Sequence, residues 1–234
     1  MSQRLKPVRG RAHPAMPHID LRLGMIQFVV LLLALTVHES AHAWTSNRLG
    51  DPTARMLGRI SLNPLVHIDP FGTVLFPLLA ILFGIPLLGW AKPVPFNPRY
   101  LSDLRRDWML IAGAGPLSNF AQALVFAAVF QALRLGAGPS SAGTPAILEP
   151  LLLICYFGVV INLALGIFNL IPVPPLDGNG VLQGILPGGA AQALESLRPY
   201  GIFVLYALMF SGVISALYRG LIMPLTRFLT AAPI

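Results

Sequence analysis

Four stretches of this chain are apolar enough and long enough to cross a lipid bilayer, and they constrain the fold more than any other feature. Residues 23–44, 108–133, 150–171 and 200–217 each approach or exceed the ~20 residues needed to span a hydrocarbon core of about 30 Å. No water reaches the backbone in that core, so such stretches must fold as helices that satisfy their own N–H and C=O groups. Charged residues make up only 11% of the chain and mean hydropathy is +0.72, whereas soluble domains carry about 25% charge. The expected class is therefore an all-α integral membrane protein, a polytopic helical bundle forming one membrane-embedded domain over residues 23–218. A basic tail, residues 1–22, carries Arg4, Lys6, Arg9, Arg11 and Arg22 and suits an anionic membrane surface. A C-terminal tail, residues 219–234, is interrupted by Pro224 and Arg227.

Several classes of function drop out at once. The sequence pI is near 10.3, but the cations are scattered beside apolar runs and form no basic face, so nucleic acid is not a partner. A single cysteine, Cys155, rules out an internal disulfide framework and a cysteine-rich zinc module. Ala41-His42-Ala43 fits the small-x-small pattern of a signal-peptide cleavage site. That reading fails because His38, Glu39 and His42 would lie between the apolar core and the cut, and further spans follow. Gly and Pro number 22 each, above the ~7% and ~5% of average chains, so the bundle must contain interruptions.

The first span holds His38-Glu39-Ser40-Ala41-His42. On a helix, positions i and i+4 share a face, so both imidazoles can reach one metal ion with Glu39 beside it. Ionisable groups inside a span are costly and face a cavity or a partner, which sets this cluster apart from a chance match. Catalytic zinc usually takes three protein ligands, so one is still required. Asp20, Asp51, Asp103, Asp107, Glu149 and Glu195 lie in tails or loops. Asp177 instead ends the Pro-broken exit from the 150–171 span, Asn169-Leu-Ile-Pro172-Val-Pro174-Pro175-Leu-Asp177-Gly178. Irregular backbone at membrane depth occurs only where it is buried in protein or lines a wet cavity, although Asp-Gly also suits a plain surface turn. Two rivals stay open: a metalloprotease whose third ligand is Glu149 or Glu195, and a membrane metal-ion transporter.

His38-Glu39-x-x-His42 with Asn169-x-x-Pro172-x-x-x-x-Asp177-Gly178 resembles the site-2 protease family of intramembrane zinc metalloproteases. Gly115-Pro116-Leu117-Ser118-Asn119 resembles that family's G-P-x-x-N element. Gly58-Arg59-Ile60-Ser61-Leu62-Asn63-Pro64, His67-Ile68-Asp69-Pro70 and Gly89-Trp90-Ala91-Lys92-Pro93-Val94-Pro95 resemble its small bacterial branch, without PDZ or CBS domains. The resemblance implies one Zn²⁺ per chain held by His38, His42 and Asp177, with Glu39 as catalytic acid/base and Asn169 binding substrate backbone. It implies a membrane-protein substrate with a transmembrane segment, a bacterial inner membrane and an active site towards the cytosol. Asn119 and His67 are further candidates for substrate contact, with helix–helix glue and a structural hydrogen bond as their respective alternatives.

The metal site constrains topology. His38 lies near the C-terminal end of the first span and Asp177 just beyond the C-terminal end of the third, so those two spans must run parallel. Only one full crossing, residues 108–133, fits between them. Residues 73–90 should therefore dip into the membrane and return; they span about 27 Å only if wholly helical, and Pro77, Gly84, Pro86 and Gly89 break them. On this topology the 16 Lys+Arg divide equally between the two faces, so the positive-inside rule gives no orientation. Residues 61–70 suit a short membrane-associated hairpin, whose edge could take up an unwound substrate by strand addition.

Overall fold

The computed structural model describes residues 20–83, 89–137 and 147–231. Arg4, Lys6, Arg9 and Arg11 of the basic tail lie outside these residues. Among the described residues the regular structure is helical and no strand occurs. The elements are α1 (Leu21–Arg48), α2 (Thr53–Met56), α3 (Phe76–Phe83), α4 (Leu104–Gly136), α5 (Leu148–Asn169), α6 (Asp177–Ile185), α7 (Gly188–Glu195), α8 (Gly201–Phe210), α9 (Val213–Leu217) and α10 (Met223–Thr230). Among the described residues three helices, α1, α4 and α5, are each long and apolar enough to cross a membrane, at 28, 33 and 22 residues. At 1.5 Å per residue they measure about 42, 50 and 33 Å, so α1 and α4 project beyond the hydrocarbon.

The helix ends explain three of the nine acids. Asp20 caps α1 by accepting from the Leu23 N–H, and Asp103 caps α4 by accepting from the Arg105 and Arg106 N–H groups. Asp107 is buried in the first turn of α4 and accepts in return from the Ser102 and Asp103 N–H groups. Side-chain acceptors at these positions satisfy amides that the helix itself leaves free.

α4 lies at the centre, packed on α1, α5 and α6. Phe126 and Phe120 of α4 rest on Gly158 and Gly166 of α5, where an added Cβ would come within 2.3 and 2.8 Å of the rings. Small residues let helix backbones approach closely in membranes, where burying apolar surface provides little drive. A core of Ala123, Ala127, Val159 and Leu163 takes in Ile222 from the C-terminal segment.

Residues 219–231 are accordingly no free tail. α10 packs on α4 and α5, and its terminal carbonyls are capped from α4. Gln131 donates to the Leu229 carbonyl at 3.2 Å and Arg134 to that of Thr230 at 3.0 Å. Residues 200–217 do not form one continuous helix: α8 stops at Phe210, Gly212 adopts a left-handed φ of 82° and α9 starts afresh. Average hydropathy cannot register a single glycine in that conformation, which ends a helix.

The segment between α1 and α4 positions the site. Its helical part, Pro70–Phe83, is too short to span, and Ile81 reaches Gly24 near the start of α1. The two ends of residues 73–90 meet again. The Trp90 N–H donates to the Gly72 carbonyl at 3.2 Å, and Thr73 Oγ1 donates to the Trp90 carbonyl at 2.8 Å. The segment thus leaves and returns at one level, although Gly84 and Pro86 lie outside the described residues.

The hairpin expected over residues 61–70 does not form. Asn63 accepts from the Leu65 N–H and Asp69 from the Phe71 and Gly72 N–H groups, so Asn63-Pro64 and Asp69-Pro70 each start a helical turn. A proline just inside such a start is favoured, because its missing N–H has no partner there anyway.

Candidate metal centre

His38 and His42 occupy one face of α1, and Asp177 is the first residue of α6. Asp177 Oδ2 lies 3.1 Å from His38 Nε2 and 3.4 Å from His42 Nε2, while the two Nε2 atoms are 3.0 Å apart. The other ring nitrogens are committed: His38 Nδ1–H donates to Asn119 Oδ1 at 2.6 Å and His42 Nδ1–H to the Ile111 carbonyl at 2.7 Å. Both oxygens are acceptors, so each neutral imidazole holds its proton on Nδ1 and turns the Nε2 lone pair inwards. Two lone pairs and a carboxylate thus converge, and Asp177 Oδ2 is buried with no hydrogen-bond partner.

A cation resolves this arrangement. Ligand atoms about 2.0–2.2 Å from a tetrahedral ion stand roughly 3.3 Å apart, and an N₂O donor set with an open position suits catalytic zinc. The residues present fit zinc.

The rival third ligands are elsewhere. Glu149 pairs with Arg22 at 2.7 Å on the exposed surface, and Glu195 pairs with Arg198 and accepts from Gln183. Among the described residues, His38, His42 and Asp177 are the only group that could hold a metal.

Glu39 is 8% exposed, and its Oε2 accepts from the Val94 N–H at 3.2 Å. That amide belongs to a strap, residues 91–97, tied down along its length. The Lys92 N–H donates to the His67 carbonyl at 2.8 Å, and the Asn97 N–H to Asp51 Oδ2 at 2.7 Å. The buried Arg59 donates to the carbonyls of Lys92 and Pro93. Burial pushes the Asp51 carboxyl up, but hydrogen bonds from Thr53, Asn97 and Ser46 outweigh it and hold the group below its ordinary value.

The Val94 contact makes the backbone part of the site. Val94→Pro removes the N–H and leaves Glu39 without that bond, whereas Val94→Ala keeps it. A hydrogen bond to a charged group is worth about 1.5–3 kcal/mol, so Val94→Pro should lower kcat about 10- to 100-fold with zinc content unchanged. Steady-state kinetics on both variants, with metal analysis, check this. An equal loss in Val94→Ala would show that the side chain carries the effect.

The remaining candidates separate. Asn119, a candidate for substrate contact, is 0% exposed and serves His38, so it has no face to offer substrate. His67 is also buried. Its Nε2–H donates to the Ser61 carbonyl at 2.9 Å and lies 3.3 Å from Ser40 Oγ, fastening the loop to α1 away from the metal donors. Asn169 ends α5, half-buried, with its Nδ2 donating to the Leu165 carbonyl at 3.1 Å, which leaves its Oδ1 available.

Gly115, Ile111, Arg59 and the Val94 amide were not legible as site components. Gly115 belongs to a motif, but its purpose is spatial: a Cβ there would stand 2.3 Å from His42 Nε2 and 2.6 Å from His38 Nε2. Gly115→Ala is therefore expected to displace both imidazoles and leave less than one zinc per ten chains after purification. The check is metal analysis of protein whose helicity is confirmed by circular dichroism.

Comparison with known proteins identifies the family. Residues 144–212 match Peptidase family M50. The chain is 32% identical over 182 residues to "Putative zinc metalloprotease YwhC" of Bacillus subtilis, covering 78% of each. It is 27% identical over 196 residues to "Putative zinc metalloprotease Rip2" of Mycobacterium tuberculosis, covering 82% of this chain and 69% of that one. No solved structure matches. With two histidines and an aspartate converging inside a bundle of span-length helices, and this likeness over most of its length, the chain belongs to peptidase family M50, the site-2 proteases, and is a membrane zinc metalloprotease.

Proposed function

We propose that the protein is an intramembrane endopeptidase that cuts a transmembrane or membrane-proximal segment of another membrane protein, using one zinc ion per chain. The observation that carries this reading is the position of Glu39 and the metal donors: Glu39, His38 and His42 are buried within a helix long enough to span the bilayer, and the half-buried Asp177 meets them there. A scissile bond must come to that depth to meet them.

When bound, Zn²⁺ acts as a Lewis acid that lowers the pKa of water towards 7 and polarises a carbonyl. Glu39 takes the proton of the attacking water on its carboxylate and later passes it to the leaving amine nitrogen. The Val94 N–H holds Oε2, which leaves Oε1 to face the reacting atoms. Asn119 and the Ile111 carbonyl keep the imidazole protons on Nδ1 throughout. On this reading Asn169, whose Nδ2 is taken by the Leu165 carbonyl, accepts from a substrate amide through its Oδ1.

A helical peptide bond is shielded by its own hydrogen bonds, so the substrate must be unwound locally. The strap cannot pair with it as a regular strand, because Pro93 and Pro95 lack N–H groups and the Lys92 and Val94 amides are already used. Acceptance by strap carbonyls, with helix-breaking residues near the scissile bond, is the expected mode. The site faces the cytosol of a bacterial inner membrane on this reading.

The test is cleavage of a reporter protein with one transmembrane helix, in liposomes, by the purified protein. Fragments from wild type, absent with Glu39→Gln and after chelation, support the proposal. Cleavage confined to soluble peptides would sink the intramembrane part of it.

A further inference from the structure

Asn162 lies about two thirds of the way along the apolar helix α5 and is 0% exposed. A buried amide in a membrane helix is costly unless all its hydrogen bonds are made, and here its polarity is dictated from one end. Asn162 Nδ2 donates to the Gly158 carbonyl at 2.9 Å. A helix carbonyl can only accept, so the amide cannot be reversed there without losing that bond, and Asn162 Oδ1 must face the other way. It accepts from Asn119 Nδ2 at 2.8 Å. That in turn points Asn119 Oδ1 at His38 Nδ1, 2.6 Å away.

We propose that Asn162 is a positioning residue of the metal centre, acting through Asn119 to hold His38 in the tautomer that presents its lone pair to the ion. The Gly158 carbonyl, Asn162, Asn119 and His38 form a relay across α5, α4 and α1 in which each donor direction determines the next. Were Asn119 turned over, its NH₂ group would face His38 Nδ1. The ring would then favour a proton on Nε2, and a protonated Nε2 cannot bind metal. A second contact of Asn119 Nδ2, to the Ala34 carbonyl, is long at 3.5 Å, so Asn162 is the principal brake on that rotation. Groups behind a metal-ligating histidine fix its tautomer and orientation, and their loss typically costs 10- to 100-fold in affinity.

The inference rests on the zinc reading of the centre, and the experiment separates the two. Zinc dissociation constants are measured by chelator competition on wild type, Asn162→Leu, Asn119→Ala and the double variant, in detergent, with circular dichroism as the check on folding. Asn162→Leu is close in size to Asn, removes both hydrogen bonds and is expected to weaken zinc binding about tenfold. In the Asn119→Ala background the same change should add nothing, because the relay is already cut. If Asn162 were only a bond between helices, its loss would lower the thermal stability of the wild type, add little in the Asn119→Ala background where that bond is already gone, and leave zinc affinity unchanged in both.

Unchanged zinc affinity in folded Asn162→Leu, or independent losses that multiply in the double variant, overturns the relay. Failure of wild type to bind zinc overturns the metal centre instead. Should Asn162→Leu not fold, Asn162→Ser decides. Its hydroxyl can donate to the i−4 carbonyl of Gly158 and accept from Asn119, so it should bind zinc more tightly than Asn119→Ala. Affinity equal to that of Asn119→Ala overturns the proposal.

Discussion

Glu39→Gln should retain a full equivalent of zinc and lose about 10²- to 10⁴-fold in kcat, the range that a positioned general acid/base contributes. The candidate metal donors are His38, His42 and Asp177, and none of their hydrogen-bond or ion-pair contacts involves Glu39. Glutamine matches glutamate in shape, and its amide oxygen can accept from the Val94 N–H as Oε2 does. Its NH₂ group, however, takes no proton from water at any accessible pH. The deficit should therefore fall on kcat, with KM little changed, because the substrate's own contacts are intact. Near-normal turnover by this variant, shown free of wild-type protein, would remove Glu39 from the mechanism.

Asp177→Ala strikes the ion itself. Asp177 Oδ2 supplies the single anionic donor, 3.1 and 3.4 Å from the two histidine nitrogens. Without it two neutral imidazoles remain, and the charge that offsets Zn²⁺ in a buried site is gone. Losing a direct ligand should cost more than the 10- to 100-fold of outer-shell changes, so purified Asp177→Ala is expected to lose its zinc and its activity together. Glu149→Gln and Glu195→Gln break only surface contacts and should keep zinc at the wild-type level. Chelator competition and metal analysis across the three variants distinguish the Asp177 ligand from either glutamate. Zinc retained by Asp177→Ala but lost from one glutamate variant would transfer the assignment.

Much of this site is legible in the chain alone, for local reasons. A helix repeats every 3.6 residues, so His38 and His42 must share a face wherever that helix is placed. Asp177 stands out because an apolar chain with nine acids offers few ligands and most of the others sit where caps and loops need them. The misreadings have local reasons too. Asn63-Pro64 and Asp69-Pro70 look like strand breaks, but an Asx side chain followed by proline also starts a helix, and that option prevailed at both places. Residues 200–217 average as one apolar stretch, but one left-handed glycine makes it two helices rather than a continuous one. Asn119 sits in a recognisable motif, but its residue type does not say whether it turns to substrate or to His38.

Membrane class, the apolar helices and the chemical identity of the donors follow from residues adjacent in the chain, because transfer free energy and helical period act over contiguous segments. Partnership across the bundle does not. His38 meets Asn119 across 81 positions, Asn119 meets Asn162 across 43 and Glu39 meets the Val94 amide across 55. These contacts exist only once α1, α4, α5 and the strap are packed together. Backbone amides such as that of Val94 are present at nearly every position, so no residue pattern marks the one that will hold the Glu39 carboxylate. Tertiary packing alone selects it, along with the tautomer on which metal binding depends.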